Sequence, residues 1–395
     1  MKEITVYKRG DQLPERRRGR GNAEISTITQ RTENREQFVE GVQKALSPKT
    51  REAYDYQWAQ FAAWCQTNGL PALPTHEDAV AEYFGYLSRP VEFTDTLGRK
   101  RKRDGCSKAT YMLIRSAIMN KHGELPAYVE EASGNLVPRP KLKLNGDLFA
   151  RYIKGNERTR HESGKVANKA TPFLVADFFE LRDLIGNSND IYDIRDLALL
   201  GLGIVRALRG PSELAALNYA ERGSTGCRGI IHIRSHGAVI QMHTTKTNQT
   251  GGKEDPRHIE EGPALDAVRS WVRAAGIEKG SPLFRPIKYI PGSQDTVILA
   301  KRMAGRTLHD VVRRRARQLL KHRAPDMTDE ELDAAVAEYS THSLRRGALT
   351  SLARAGATLT EMMELSRHSK KSAGVVLEYI EEQNEGARAI SKLGM

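Results

Sequence analysis

The stretch Thr341-His-Ser-Leu-Arg-Arg-Gly-Ala-Leu-Thr350 begins a predicted helix near the C-terminus, and the interpretation of the whole chain starts from it. It places His342 and Arg345 three residues apart at the start of that helix. Taken alone, the pair also fits an ordinary helix N-terminus with Thr341 or Ser343 as the cap. Whether His342 and Arg345 have a structural or a chemical role therefore depends on residues elsewhere in the chain.

Two titratable side chains follow this helix start. His368 comes 23 residues after Arg345, and Tyr379 comes 11 residues after His368, within Val375-Val-Leu-Glu-Tyr-Ile380. His368 also fits a surface histidine among basic neighbours, and Tyr379 fits a core aromatic residue. The pattern predicts a helix that carries Tyr379 and leaves both roles open.

Two further basic residues precede the His342 and Arg345 pair in the chain. Arg209 stands in the segment 203–217, with Arg206 three residues before it, and Lys246 stands in the segment 243–252, just after a predicted β-hairpin. Arg209 alone also fits a solvated cation at a helix end, stabilised by the helix dipole. Lys246 alone also fits an edge-strand lysine that discourages aggregation.

These residue types suit transesterification of a phosphodiester. Two guanidinium groups, from Arg209 and Arg345, match the non-bridging oxygens of a phosphate better than lysines do. A tyrosine hydroxyl is a weak nucleophile at neutral pH, so Tyr379 needs a base or a strongly positive site, which His342 and the arginines provide. The departing oxygen needs a proton, and Lys246 is a candidate general acid.

The chain order Arg, Lys, His-x-x-Arg, His, Tyr resembles the tyrosine recombinases, the family of phage integrases and Cre-like enzymes. The resemblance covers roughly residues 45 to 395. It implies that Arg209 and Arg345 bind the scissile phosphate, that Lys246 is the hairpin lysine, and that His342 is the acid/base histidine. It likewise implies that His368 is the second histidine, Tyr379 the nucleophile, and Glu213 an acidic residue that supports the site.

The resemblance further implies a mainly α, two-domain DNA clamp, in which the catalytic domain is α+β with a small antiparallel sheet. The expected activity is strand cleavage and rejoining through a 3′-phosphotyrosyl intermediate, without metal ion, ATP or other cofactor. The expected assembly is a homotetramer on two double-stranded DNA sites, a dimer on each, with the tail after Tyr379 docking on a neighbouring subunit. A type IB topoisomerase and a non-enzymatic DNA-binding regulator remain alternatives.

Two local departures from the family pattern leave assignments open. Glu213 follows Arg209 by four residues, with Gly210-Pro211 interposed, which is one residue longer than usual and keeps Arg206 as an alternative. The interval from His368 to Tyr379 is also longer than usual, and Arg367 stands where the family commonly has glycine.

The charge balance indicates a polyanionic partner. The chain has 62 Lys and Arg against 49 Asp and Glu, a net charge of +13. Basic runs occur at 16–20, 99–103 and 313–317, and each alone also fits a solvated face or tail. Together they favour phosphate contacts. The residues expected to bind DNA are Arg99, Lys100, Arg101, Lys102, Arg103, Arg313, Arg314 and Arg315.

Composition along the chain predicts four regions. Residues 1–44 read as a basic, mostly disordered arm, and 45–155 as an all-helical domain, which the family resemblance implies is the SAM-like core-binding domain. Residues 156–170 read as a connector, and 171–395 as the catalytic domain with its tail. Helix signals cover 48–68, 76–87, 107–121, 145–153, 175–185 and 191–208, and a hairpin joins strands at 229–234 and 238–243.

Cysteine usage and hydropathy indicate where the protein acts. Cys65, Cys106 and Cys227 are far apart and odd in number, without metal-ligand spacing, which favours a reducing setting. No apolar run approaches the roughly 20 residues that span a bilayer, and the N-terminus is charged rather than a signal peptide. We therefore expect a cytoplasmic, nucleoid-associated protein with no metal site and no membrane partner.

Overall fold

The first long helix begins at the cap that the sequence predicts. Ser47 accepts a hydrogen bond from the Thr50 amide at 3.2 Å, and Pro48 occupies the first helical turn. The structure is a computed structural model. It describes residues 36–42, 44–94, 100–103, 105–125, 128–130, 136–139, 141–144, 146–164, 169–223, 226–243, 255–290, 295–369 and 372–381.

The chain divides into two compact units, residues 1–166 and residues 167–395. Aromatic side chains fill much of the N-terminal core, where Phe84 packs against Tyr111 and Phe149 with ring centroids 4.9 and 5.6 Å apart. The longer helices of this unit are α1 (Pro48–Thr67), α2 (Glu77–Ser88), α3 (Lys108–Gly123) and α4 (Asp147–Glu162).

Two short hairpins contradict the prediction that this unit is all-helical. They pair β1 (Val91–Thr94) with β2 (Lys100–Arg103) and β3 (Tyr128–Glu130) with β4 (Leu136–Pro138), both antiparallel. Charged β2 has no alternation of apolar and polar residues, so periodicity could not identify it.

The boundary expected at residue 156 also differs. Helix α4 continues to Glu162 through a stretch without apolar periodicity, where we expected a connector. Its polar side chains bind earlier backbone: Asn156 donates to the Cys106 carbonyl at 3.0 Å, and Arg160 donates to the Gly105 carbonyl. These hydrogen bonds replace the apolar stripe that would have predicted the helix. Residues 36–42, expected in the disordered arm, are likewise helical.

The C-terminal unit is built around one buried helix. Nearly every residue of α6 from Arg195 to Ile204 is buried, because other elements cover it on all sides. The helices of this unit are α5 (Val175–Ile185), α6 (Ile191–Val205), α7 (Pro263–Ala274), α8 (Gly305–Arg323), α9 (Asp329–Ala337), α10 (His342–Arg354), α11 (Leu359–Ser366) and α12 (Ala373–Glu381).

A four-stranded sheet lies in the same unit. Its order is β5 (Leu217–Tyr219), β6 (Gly229–Ile233), β7 (Ala238–Met242), β8 (Asp255–Ile259). The hairpin β6–β7 is the predicted one. Strand β5, however, pairs parallel with β6, so the sheet is mixed and not antiparallel as expected. A separate antiparallel hairpin pairs β9 (Ile287–Tyr289) with β10 (Thr296–Ile298).

Helix α10 is held by a close backbone crossing. The Phe173 amide donates to the Ser343 carbonyl at 2.9 Å, and a Cβ added to Gly347 would lie 1.7 Å from the Phe173 carbonyl oxygen. Only glycine permits this approach. The crossing fixes the helix start that carries His342 and Arg345.

Within the described residues, no helix combines the length and apolar character that crossing a membrane would require.

Candidate active site

Arg209 lies in the turn that follows α6, beside a strained backbone. Ala207 adopts a positive φ of 47°, which non-glycine residues seldom take. Arg209 Nη1 donates to Glu213 Oε1 at 2.7 Å, and the Arg209 backbone amide donates to Glu213 Oε2 at 3.2 Å. The side chain is about one-fifth exposed, so Glu213 orients it while part of it still faces solvent.

Glu213 is fully buried and holds a second arginine. Arg257 on β8 is 2% exposed and donates from Nη1 to Glu213 Oε2 at 3.2 Å. Burial alone would raise the pKa of Glu213, but Arg257 and Arg209 together outweigh it and hold the pKa below its usual range. Glu213 is thus a carboxylate shared between two guanidinium groups, which suits the supporting role predicted for it.

Arg345 lies on α10 with its side chain buried. Its guanidinium donates to the Ala207 carbonyl at 2.8 Å and to the Ser366 carbonyl. Burial first, and then repulsion by Arg209, lower the pKa of Arg345 to about 10. The group remains charged at neutral pH, and its hydrogen-bond partners among the described residues are these two backbone carbonyls.

Two histidines lie next to these arginines. Burial, followed by repulsion from Arg345, lowers the pKa of His342. The same two causes lower the pKa of His368 to about 4. Both imidazoles are therefore neutral at pH 7 and can accept a proton.

Hydrogen bonding fixes the tautomer of His368. Ser366 Oγ donates to the Met362 carbonyl at 2.7 Å and lies 2.7 Å from His368 Nδ1. Because the hydroxyl has a single proton, Nδ1 must carry its own and donate it to Ser366. Nε2 of the neutral ring is then an acceptor.

Tyr379 lies on α12, and both interpretations of this residue find support. Its ring belongs to a small apolar cluster with Leu349, Met362 and Val376, and it is 8% exposed. It also lines a cavity of about 410 Å³ together with His342 and Arg346. The ring is packed, and it borders an open space next to the candidate base.

Arg206, the alternative to Arg209, lines a different cavity from the one that Tyr379 lines. It lines a cavity of about 880 Å³ together with Leu352, Glu361 and Glu364. Arg209, by contrast, bonds to Glu213 and acts on the ionisation of Arg345 and both histidines. The arrangement favours Arg209 as the second arginine of the site.

Among the residues that the structure describes, no group of three or more His, Cys, Asp or Glu side chains is placed to hold a metal ion.

Comparison with known proteins identifies the family. No family model matches the chain. An integrase/recombinase XerD homolog of Selenomonas ruminantium is 26% identical over 348 residues, covering 87% of this chain and 84% of that protein. Recombinase Cre of Escherichia phage P1 is 24% identical over 334 residues, covering 84% of each. Both matches support a tyrosine recombinase.

A solved structure is also similar. XerH site-specific recombinase bound to palindromic difH substrate, in a post-cleavage complex, is 13% identical with a TM-score of 0.46. The alignment covers 80% of this recombinase and 70% of that chain.

Some predicted residues of this recombinase lie outside the described part. Lys246 falls between β7, which ends at Met242, and β8, which begins at Asp255, and neither it nor Arg99 is described. Lys100 to Arg103 form β2, and Lys100 is exposed. The tail after residue 381 is likewise not described. The roles expected for these residues stay predictions.

The third basic run, at 313–317, makes contacts within the fold. Arg315 is 5% exposed and binds Asp193 and Asp196, and Arg313 donates to the carbonyls of Ala337 and Tyr339. These side chains are used within the fold and are not displayed to a phosphate backbone. Arg314 is exposed, but it too bonds to Asp196.

Two residues at the site were missed. Arg257 occurs in Asp255-Pro-Arg-His-Ile259, where a charged residue at an inward position of a strand was the available signal. Arg346 directly follows Arg345, and its position four residues after His342 puts both on one face of α10.

Proposed function

We infer that this protein is a site-specific DNA recombinase that cleaves and rejoins strands through a covalent bond to Tyr379. The observation that carries the proposal is the convergence of Arg209, Arg345, His342 and His368 beside the cavity that Tyr379 lines. Positive charge exceeds negative charge there, as the binding of a phosphodiester requires.

The proposed first step is a transesterification. Tyr379 Oη attacks the scissile phosphorus, a phosphorus–oxygen bond to the 3′-phosphate forms, and the bond to the 5′-oxygen breaks. His342, neutral in the free protein, takes the phenol proton. Lys246 gives a proton to the departing 5′-oxygen. Rejoining is the reverse attack by a 5′-hydroxyl, so no external energy source is required.

The arginines fit the charge that develops. Two guanidinium groups can bind the non-bridging oxygens through several hydrogen bonds at once, and burial strengthens these bonds by excluding water. A bound phosphodiester would also offset the repulsion that lowers the pKa of His342 and His368. Substrate binding would thereby raise the pKa of both histidines and make them better proton acceptors. Once His368 is protonated, it could donate a hydrogen bond to the phosphate.

Assembly and location follow from the same proposal. We expect double-stranded DNA as the partner and a homotetramer that brings two sites together, with a dimer on each, as the family resemblance implies. Acting on DNA, the protein is expected in the cytoplasm at the nucleoid. The similarity to two recombinases favours this activity over topoisomerase-like relaxation or non-enzymatic regulation.

The test is the replacement Tyr379→Phe, which removes the hydroxyl and keeps the packed ring. Wild-type protein is incubated with a library of the DNA that flanks its gene, and SDS-resistant adducts are captured and sequenced. We expect the variant to fold and to bind the recovered duplex, but to form no adduct.

Tyr289→Phe and Tyr339→Phe are the controls. Tyr289 is 65% exposed and Tyr339 is buried in the main core, so they sample both environments. Each should form adduct at nearly the wild-type rate. An adduct formed by Tyr379→Phe, mapped by peptide mass to another residue, would overturn the assignment.

A further inference from the structure

Arg346 lies against the proposed nucleophile. Its guanidinium carbon is 5.6 Å from the centroid of the Tyr379 ring, and the two side chains line the same cavity. Arg345, its neighbour in sequence, points instead to the carbonyls of Ala207 and Ser366. These two adjacent arginines on α10 thus contact different groups.

We propose that Arg346 is a positioning residue for Tyr379, holding the ring beside His342 and favouring its ionised form. The inference rests on the proposed function, since it matters for catalysis only if Tyr379 is the nucleophile. A cation near the face of a phenol is attracted to the ring, and it is attracted more strongly once the phenol becomes a phenolate.

In the described part of the chain, charged groups around Tyr379 lie on α10, on the segment 169–170 and on α12. Helix α10 contributes His342, Arg345 and Arg346, while residues 169 and 170 contribute Lys169, and α12 contributes Glu378. Helix α11 contributes apolar residues to the cluster around the ring, among them Met362.

Glu378 is the one acidic group in this set, and Lys169 binds it. Lys169 Nζ lies 2.8 Å from Glu378 Oε2, and its hydrogen bond is the main cause that lowers the pKa of Glu378. The carboxylate is thus largely compensated by Lys169. Arg346 is the cation placed over the ring.

Arg346 acts on the candidate base in the same direction. After burial and Arg345, it is the next cause that lowers the pKa of His342. Only a neutral His342 can accept the phenol proton, so Arg346 favours both the release of that proton and the neutral form of its acceptor. Losing Arg346 should move both ionisations to higher pH.

The experiment measures the ionisation of Tyr379 directly. A single 3-fluorotyrosine is incorporated at position 379 of the full chain, and its ¹⁹F shift is followed against pH. We compare the wild type with Arg346→Met, which removes the charge but keeps most of the side-chain volume. The expected result is a titration midpoint higher by about one pH unit, the equivalent of roughly a tenfold change.

Matched variants keep the result interpretable. Arg354→Met removes an exposed arginine from the last turn of the same helix and should leave the midpoint unchanged. Arg346→Lys keeps the charge and should restore most of the wild-type midpoint. If Arg346→Met does not fold, Arg346→Gln replaces it. Coincident midpoints for the wild type and the uncharged variant would overturn the inference.

A kinetic arm separates this inference from the proposed function. The rate of adduct formation on the duplex recovered in the capture experiment is measured against pH. We expect the rising limb for Arg346→Met to shift to higher pH while DNA affinity stays within about twofold. A wild type that forms no adduct would contradict the proposed function. Normal adduct formation by wild type and variant, with identical pH profiles, would contradict only the role of Arg346.

Discussion

Two buried carboxylates of the C-terminal unit are each surrounded by arginines, and the two groups use their charges differently. Asp196 is fully buried and accepts hydrogen bonds from Arg195, Arg314 and Arg315, which together form the Asp196 cluster. Arg315 also binds Asp193 at 2.6 Å. Two carboxylates therefore compensate most of the positive charge of this cluster.

The second group is the Glu213 cluster, composed of Glu213, Arg209, Arg257 and the adjacent Arg345. One carboxylate faces three guanidinium groups, and Arg345 binds backbone carbonyls, which carry no full negative charge. Burial first, and then this excess positive charge, lowers the pKa values of His342 and His368. An excess of this kind is suited to an incoming phosphate, whereas the more nearly compensated Asp196 cluster is suited to joining helices.

The largest effect on stability is expected in the Asp196 cluster. Replacing Arg315 by Met breaks a buried pair and should cost about 3–5 kcal/mol in the free energy of unfolding. Urea denaturation measures the loss, and the folded fraction should still form adduct at the wild-type rate. Arg317→Met, on the same helix but in exposed pairs with Asp329 and Asp333, should cost under about 1 kcal/mol. A stable Arg315→Met that has lost cleavage would mean that this cluster is catalytic.

In the Glu213 cluster the main effect is expected on rate. Arg209→Met removes a donor aimed at the phosphate, and such a loss typically costs about 3 kcal/mol of transition-state stabilisation, or more than a hundredfold in cleavage. Single-turnover adduct formation measures it. Arg206→Met is the comparison and should change the rate less than about tenfold. The opposite ranking would assign the phosphate to Arg206.

The free energy of unfolding should depend on pH through His368, which lies next to the Glu213 cluster. The pKa of His368 is about 4 in the folded chain, against a usual value of 6.5. Between these values the unfolded chain binds more protons, so the stabilisation is complete above pH 6.5 and is lost as the pH falls toward 4. We expect about 1 kcal/mol from this histidine after solvent screening, and a correspondingly flatter curve for His368→Gln in urea titrations. An unchanged slope in that variant would show that folding does not lower the pKa of His368.

The smallest effect concerns the backbone next to His368. Arg367 has a left-handed conformation with φ of 55°, which costs a side-chain-bearing residue about 1 kcal/mol and glycine almost nothing. Arg367→Gly should therefore be more stable than Arg367→Ala by about 1 kcal/mol, as measured by thermal unfolding. Comparing these two variants cancels the loss of the guanidinium and its bond to the Pro256 carbonyl. Equal stabilities would show that the strain is relieved in another way.

Local signals in the sequence predicted much of the fold. Ser47 and Ser107 are caps that bond to the amide three residues later, and their helices begin where expected. The hairpin β6–β7 follows from two short apolar runs rich in β-branched residues on either side of Gly237, which adopts a φ of 85°. Such features depend on residues close together in the chain, so the sequence displays them directly.

The family resemblance likewise predicted most of the candidate site, because the order of Arg209, His342, Arg345, His368 and Tyr379 does not depend on how they pack. Distances among these residues, the tautomer of His368, and the choice of Arg209 over Arg206 required the structure. Each depends on elements that are far apart in sequence but meet at the ends of α6, α10 and α11.

The sequence by itself determined the helix starts, the β6–β7 hairpin, the chemical types at the site and their order. Only the tertiary structure decided what each charge is used for. The run from Arg313 to Arg315 reads as a DNA contact until the fold brings Asp196, more than 100 residues away in the chain, against it. A charged side chain is free for a ligand or engaged in the fold according to which carboxylate lies next to it, and the apolar core that α6 and α8 share brings Asp196 to Arg315. Local sequence carries no record of such a partner.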